Sequence, residues 1–198
     1  MEHIADKILR TARRQSVFRA RDIRDARDPR STLQRMVRSG QLVQPGRGLY
    51  GLPDGELSVN HTFVEATRRY PGGVICVISA LVFHGIGTQM PHETWMMRRD
   101  RKMPPSEGGV RFLYCTGPHF EHGMEEHVIE GVAVHIYTPA RTIADCFKYR
   151  NKIGLDVAIE ALREGWRAKR FTMDELWAAA SVCRVQGIIQ PYLEMLVE

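Results

Sequence analysis

The stretch from Asp28 to Gly51 constrains the fold most tightly. Asp28-Pro29 predicts a helix start, because Asp accepts from free N–H groups and Pro suits the first helical position. PRSTLQRMVRS then places Leu33, Met36 and Val37 on one helical stripe, and Gly40 stops it. The opposite face holds Arg30, Ser31, Gln34, Arg35 and Arg38. In QLVQPGRGLYGL, Leu42 and Val43 predict a short strand, Pro45-Gly46-Arg47-Gly48 a turn, and Leu49 and Tyr50 a returning strand. Two helices precede this unit. Ile4, Ile8 and Leu9, with Ala5 and Ala12 on or near the same face, predict a helix over roughly residues 2–14. Val17 and Phe18 read as a short buried link, and Ala20 to Ala26 as a second short helix with Ile23 inward. Three helices and a hairpin with an Arg at its tip make a winged helix-turn-helix. In that fold the third helix enters the major groove and the wing touches the adjacent backbone.

Charge points the same way. Residues 1–50 hold twelve Lys/Arg against five Asp/Glu, a net +7, whereas residues 51–198 hold sixteen against eighteen, a net −2. A basic module on a near-neutral body is the electrostatic footprint of nucleic-acid binding. Eleven of the twelve cations are Arg, whose planar fork of donors fits phosphate and guanine edges. Arg30, Gln34 and Arg35 are the candidates for base edges, since Arg reads guanine and Gln adenine. Ser31, Thr32, Arg38 and Arg47 are the candidates for phosphates, which position a protein without specifying sequence. Arg10, Arg13 and Arg14 on the first helix are weaker candidates and read as solvent-facing.

The remainder reads as a mixed α+β domain with central strands and late helices. The polar, Pro/Gly-containing segment 51–60 marks a boundary, giving a winged helix-turn-helix over 1–53 and an α+β domain over 60–198. Expected elements are a helix over His61 to Tyr70, a buried strand over Val74–Ile78, a helix capped by Ser79 and stopped by Gly85, and strands at Thr94 to Arg99 and Val110–Cys115. Val128–Ile129 and Val132–Tyr137 flank Glu130-Gly131 as a hairpin-like pair. Thr138-Pro139 starts a helix burying Ile143, Ala144 and Phe147; Asp156 to Ala168 form another. Thr172 with Glu175 makes a capping box, and a final helix lies near Pro191–Val197. No segment has the apolar length to cross a bilayer, and the amphipathic N-terminus is no secretory signal. Cys76, Cys115, Cys146 and Cys183 are scattered without a CxxC pair, so they are expected to be reduced, buried thiols of a cytosolic protein.

The body offers no pattern for catalysis. His119, Glu121, His122 and His127 match no zinc signature and read as a polar loop. Ser79 and His84 lack a nucleophile elbow. Asp145, with Arg141 and Lys148 nearby, reads as making surface or partly buried pairs. The run Arg98, Arg99, Arg101 and Lys102 reads first as a solvated loop and second as a secondary DNA or partner contact. No P-loop or GxGxxG is present. No catalytic residue, cofactor or metal is therefore expected.

The winged-helix pattern, the ISALVFHGI segment and VHIYTPARTIADCFKYRNKIGLDVAIEAL, above all its core from Tyr137 to Asp145, resemble the AbiEi family of antitoxins from bacterial abortive-infection systems. The resemblance implies a type IV toxin–antitoxin component that represses its own operon at inverted repeats, with two copies binding cooperatively. It implies a C-terminal domain that counters an AbiEii-type nucleotidyltransferase toxin without a stable protein complex, in the cytoplasm and on the nucleoid when DNA-bound. The Arg30–Arg38 face and Arg47 carry over as DNA-binding positions. Two rivals stand beside it: a winged-helix regulator unpaired with a toxin, and a nucleic-acid-processing enzyme whose N-terminal module delivers substrate.

Overall fold

A computed structural model describes residues 3–23, 28–55, 57–100 and 109–197. The chain divides into two compact units: residues 1–71 with 127–134, and residues 72–126 with 135–198. No helix of the described residues is long and apolar enough to cross a membrane.

The first unit begins with α1 (Ile4–Arg14), whose Ile8 and Ala12 are buried. The expected second helix is a single 3₁₀ turn, Ala20–Asp22. The Asp22 carboxylate accepts from the Arg19 N–H at 2.7 Å, and Ile23 is already extended while its side chain stays buried. The rest of that expected helix, residues 24–27, lies outside the described residues. Next come α2 (Arg30–Arg38), β1 (Val43–Gly46) and β2 (Leu49–Gly51). Phe18 bridges Tyr50 through two backbone hydrogen bonds of 2.9 Å, so the short link is a third strand-like arm of the wing. Phe18, Tyr50, Leu42, Leu33, Met36, Ile23 and Ile8 share one core. The N-terminal unit is a winged helix-turn-helix, completed by α3 (His61–Arg69), which buries Phe63, Val64 and Ala66.

In the second unit, β3 (Val74–Ile75), β4 (Thr94–Arg98), β5 (Val110–Tyr114), β6 (Met124–Ile129) and β7 (Val132–Tyr137) form one sheet in the order β5-β4-β3-β7-β6, with residues 127–134 of the last two strands belonging to the first unit. β3 runs antiparallel to β4 and parallel to β7, and β4 runs parallel to β5. The helices are α4 (Val77–His84), α5 (Pro118–Glu121), α6 (Pro139–Lys148), α7 (Arg150–Ile153), α8 (Leu155–Arg167), α9 (Met173–Cys183) and α10 (Gln186–Val197). Their apolar faces share a core that includes Leu81, Ile143, Phe147, Leu162, Leu176 and Ile189. The chain is thus α+β, with N-terminal helices, a central sheet and late helices.

Several local expectations change. The strand expected through Ile78 ends at Ile75, because Val77 takes φ 48° and opens α4 there. Ser79 is therefore inside the helix, not its cap, and its buried hydroxyl accepts the Trp95 N–H at 2.9 Å. Gly85 stops α4 in the left-handed region, as expected. The Thr172–Glu175 capping box forms, with bonds of 2.7 and 3.2 Å. The last helix begins at Gln186, so Pro191 lies within it. The carbonyl four residues before that Pro belongs to exposed Gly187, where water can replace the missing N–H.

The Glu130-Gly131 turn shows why the hairpin tip belongs to the first unit. Both residues have positive φ, 51° and 74°, as a tight two-residue turn between strands requires. A Cβ on Gly131 would stand 1.8 Å from the Arg14 carbonyl oxygen. Gly131→Ala is accordingly expected to destabilise the protein by about 2–5 kcal/mol, combining left-handed strain with overpacking. Urea denaturation of the full chain checks this; an unchanged midpoint contradicts it. The Glu130 carboxylate accepts from the Ser58 N–H at 2.6 Å and from the Ser16 hydroxyl, and lies 2.8 Å from His61 Nδ1. Burial raises its pKa, but the hydrogen bonds from Ser16, His61 and Ser58 outweigh burial and hold it below the ordinary carboxylate value. A lowered folded pKa adds stability above the unfolded value of about 4.3, lost as pH falls through that region. The gap in urea midpoint between wild type and Glu130→Gln should therefore be widest near neutrality and shrink below about pH 4.3. A gap constant from pH 7 to 3.5 would contradict the assignment.

Candidate nucleic-acid interface

The interface is built on α2. Leu33 and Met36 are buried in the core of the first unit, and Val37 is half-buried at its edge. Burying Leu33 and Met36 contributes about 1.5–3 kcal/mol each, which fixes the helix rotation about its axis. At about 100° per residue, Arg30, Ser31, Gln34, Arg35 and Arg38 then cover about 140° of the opposite surface, and all five are exposed. Thr32 stands apart, half-buried at the margin of that face.

Both helix ends are set locally. Pro29, not Asp28, is the capping residue, and Arg30 is the first helical residue. Asp28 still reaches the orphan N–H of Arg30, at 3.4 Å, from a backbone φ of 40°. The C-terminus is a Schellman turn on Gly40, φ 74°: the Gln41 N–H donates to the Met36 carbonyl at 2.9 Å and the Gly40 N–H to Val37 at 3.1 Å. This turn sends the chain directly into the wing.

The wing differs in detail from the expected four-residue turn. β1 extends through Gly46, leaving Arg47-Gly48 as a two-residue tip with Gly48 at φ 70°. Arg47 is exposed there, and Pro45 and Gln44 are exposed on the strand behind it. α2 and the wing tip thus present six of the seven candidate residues to solvent within one compact unit.

Other basic residues of the first unit serve the fold. The Arg19 guanidinium donates to the Arg69 carbonyl at 2.9 Å, and burial followed by the neighbouring Arg21 lowers its pKa. Arg68 pairs with Asp22 at 3.1 Å and donates to the Val17 carbonyl at 3.1 Å. Sequence reasoning gave α3 no part in the interface, yet Arg69 Nη2 stands 2.6 Å from the position of a Cβ on Gly46. That adds a guanidinium beside the wing. The available signal was the Arg68-Arg69 pair at the end of a helix whose partner is the hairpin.

In the second unit, the expected polar loop at 119–127 is a helical turn followed by β6. His119 bonds the Val182 carbonyl and Glu121 pairs with Arg99 at 2.5 Å. No cluster that could hold a metal is found among the described residues. His84 closes α4, its Nε2 2.7 Å from the Tyr137 carbonyl oxygen. Arg98 is not in a solvated loop but ends β4, with its guanidinium 5.8 Å from the Phe112 ring centre; Arg99 is exposed in the bend after β4, its guanidinium 5.0 Å from the Phe120 ring centre. Arg101 and Lys102 lie outside the described residues.

Arg141 and Asp145 are fully buried, contrary to a surface or partly buried pair. Arg141 Nε donates to Asp145 at 3.1 Å, Nη1 donates to the His122 carbonyl at 2.9 Å, and the guanidinium lies 4.4 Å from the Tyr137 ring centre. The Cys183 thiol donates to the other Asp145 oxygen at 3.3 Å. Burial raises the Asp145 pKa against the pull of Arg141. The four cysteines are free and buried, and burial pushes the thiols of Cys76, Cys146 and Cys183 up, so they are packing groups rather than nucleophiles.

Residues 6–53 match the model of a family described as transcriptional regulator, AbiEi antitoxin. The match runs from α1 to the end of the wing and leaves the Tyr137–Asp145 segment outside it. Among solved structures, the crystal structure of the RV2827C protein from Mycobacterium tuberculosis is similar, with a TM-score of 0.59 and 16% identity over 91% of this chain and 72% of that one. At that identity the likeness is one of fold. No curated protein sequence matches the chain. The N-terminal module is similar to that of AbiEi antitoxin transcriptional regulators, and the match supports a DNA-binding regulator of a toxin–antitoxin system.

Proposed function

We propose that the chain is the antitoxin of a type IV toxin–antitoxin pair and represses its own operon. The observation that carries this reading is the exposed Arg30–Arg38 face of α2 beside Arg47 at the wing tip, on a module that matches antitoxin regulators. α2 lies in the major groove, where Arg30, Gln34 and Arg35 read base edges. Ser31, Thr32, Arg38 and Arg47 hold phosphates and fix the register. Two copies bind the two halves of an inverted repeat, since operator symmetry mirrors the pairing of two protein molecules. The chain acts by binding, in the cytoplasm, without cofactor or metal. The C-terminal unit counters a nucleotidyltransferase toxin of the AbiEii type without a stable complex.

The test is a reporter driven by the DNA upstream of the gene, in cells with and without the protein, beside growth rescue on co-expression with the neighbouring toxin gene. Repression together with rescue is expected. Repression without rescue would leave a regulator unpaired with a toxin. Absence of both, with metal-dependent cleavage of DNA or RNA by the purified protein, would turn the assignment to an enzyme.

A further inference from the structure

A concavity in the second unit lies between the end of α8, the loop after it, α9 and the end of α10. It encloses about 990 Å³. Arg163, Arg167, Lys169 and Arg170 stand on its rim, all exposed. Arg163, Arg167 and Lys169 have no ion-pair partner among the described residues, and Arg170 donates only to the His84 carbonyl. The carboxylate on the rim, Glu175, already accepts the Thr172 N–H in the capping box. Four cations therefore crowd one groove on a part of the chain, residues 51–198, whose overall charge is slightly negative. The floor is apolar: Trp166 and Phe171 pack with ring centres 6.1 Å apart, flanked by Met173 and by Met195, which is 53% exposed. A second hollow of about 340 Å³ shares Arg170, Phe171 and Glu175 and extends the groove toward Gly123 and Thr138.

We infer that this groove docks an acidic peptide segment of a partner protein, with apolar anchors on the Trp166–Met195 floor and carboxylates on the Arg163–Arg170 rim. Charge complementarity selects the acidic occupant. The floor selects peptide over nucleic acid. Bases stack on free aromatic faces, but Phe171 is buried and Trp166 is half-buried against it, so the floor offers side-chain pockets instead. Methionines at such a floor adapt to varied aliphatic anchors. This inference does not rest on the DNA-binding reading, because the groove lies wholly in the second unit.

The experiment pans a phage-displayed library of random 12-residue peptides on the immobilised full chain, then measures the most enriched peptide by fluorescence anisotropy. The comparison proteins are wild type, the double variant Arg163→Glu/Arg167→Glu, and Met195→Glu, all at exposed positions. Enrichment of sequences that combine Asp or Glu with Leu, Phe or Trp is expected, with affinity at least tenfold weaker in both variants and operator DNA binding unchanged. Peptides without acidic residues, peptides indifferent to both variants, or no enriched binder would overturn it. A 20-nucleotide dT oligomer, or the operator duplex, that loses affinity in the charge-reversed variant would reassign the groove to nucleic acid and also overturn it.

Discussion

Replacing Arg141 with Ala is expected to cost about 3–5 kcal/mol, because it strands the Asp145 carboxylate in the core without its counter-charge. Asp145 is fully buried, and Arg141 is its ionic partner, 3.1 Å away. The same change leaves the His122 carbonyl without its 2.9 Å donor and removes the guanidinium from the Tyr137 ring. For a chain of this size the melting temperature should fall by roughly 6–20 °C. The double variant Arg141→Met/Asp145→Leu should recover most of the loss, since removing both charges removes the desolvation cost as well. Differential scanning calorimetry of the three proteins decides it. A single variant within 1 °C of wild type, or a double variant no better than the single, would show that the pair does not hold α6 in place.

The second large effect concerns binding. Arg30→Ala/Arg35→Ala is expected to weaken operator binding by about 2–6 kcal/mol, at least about thirtyfold, if each guanidinium makes one bidentate base contact. Melting temperature should be unchanged, because both side chains are exposed and point away from the Leu33–Met36 stripe. Arg47→Ala should behave differently. As a phosphate contact it should weaken specific and random DNA alike and reduce the salt dependence by about one contact. Loss of discrimination in the Arg47 variant, with none in the double variant, would exchange their roles.

The winged helix was legible because its signals are local. Gly40 and the Leu33–Met36 stripe each act within a few residues and produced the expected helix and stop, and the hairpin formed with its tip narrowed to Arg47-Gly48. The errors have physical causes. Asp28-Pro29 marked the start of α2 correctly, but the left-handed backbone at Asp28 moved the cap by one residue. Ser79 looked like a cap because it follows an apolar run, whereas its hydroxyl is spent on the N–H of Trp95, a partner distant in sequence. Arg141 and Asp145 have the spacing of a surface ion pair. Their setting told otherwise: Ile143, Ala144, Cys146 and Phe147 surround Asp145 in sequence, and a helix apolar on every side is a buried one. The bonds of Glu130 to Ser16, Ser58 and His61 had no sequence signal, since they join segments about seventy residues apart or more. For the candidate site, the residue types and their spacing were readable; Thr32's half-burial and Arg69's place beside the wing required the packing.

The central claim is that α2 and the wing read a specific DNA sequence. Its most direct test is a mobility shift of the purified protein on the DNA upstream of its own gene, across several salt concentrations with random DNA as competitor. The account predicts a competitor-resistant complex whose log affinity falls with log salt by about 0.9 for each phosphate contact. Equal, weak binding to operator and random DNA, or no binding at low salt, would contradict it.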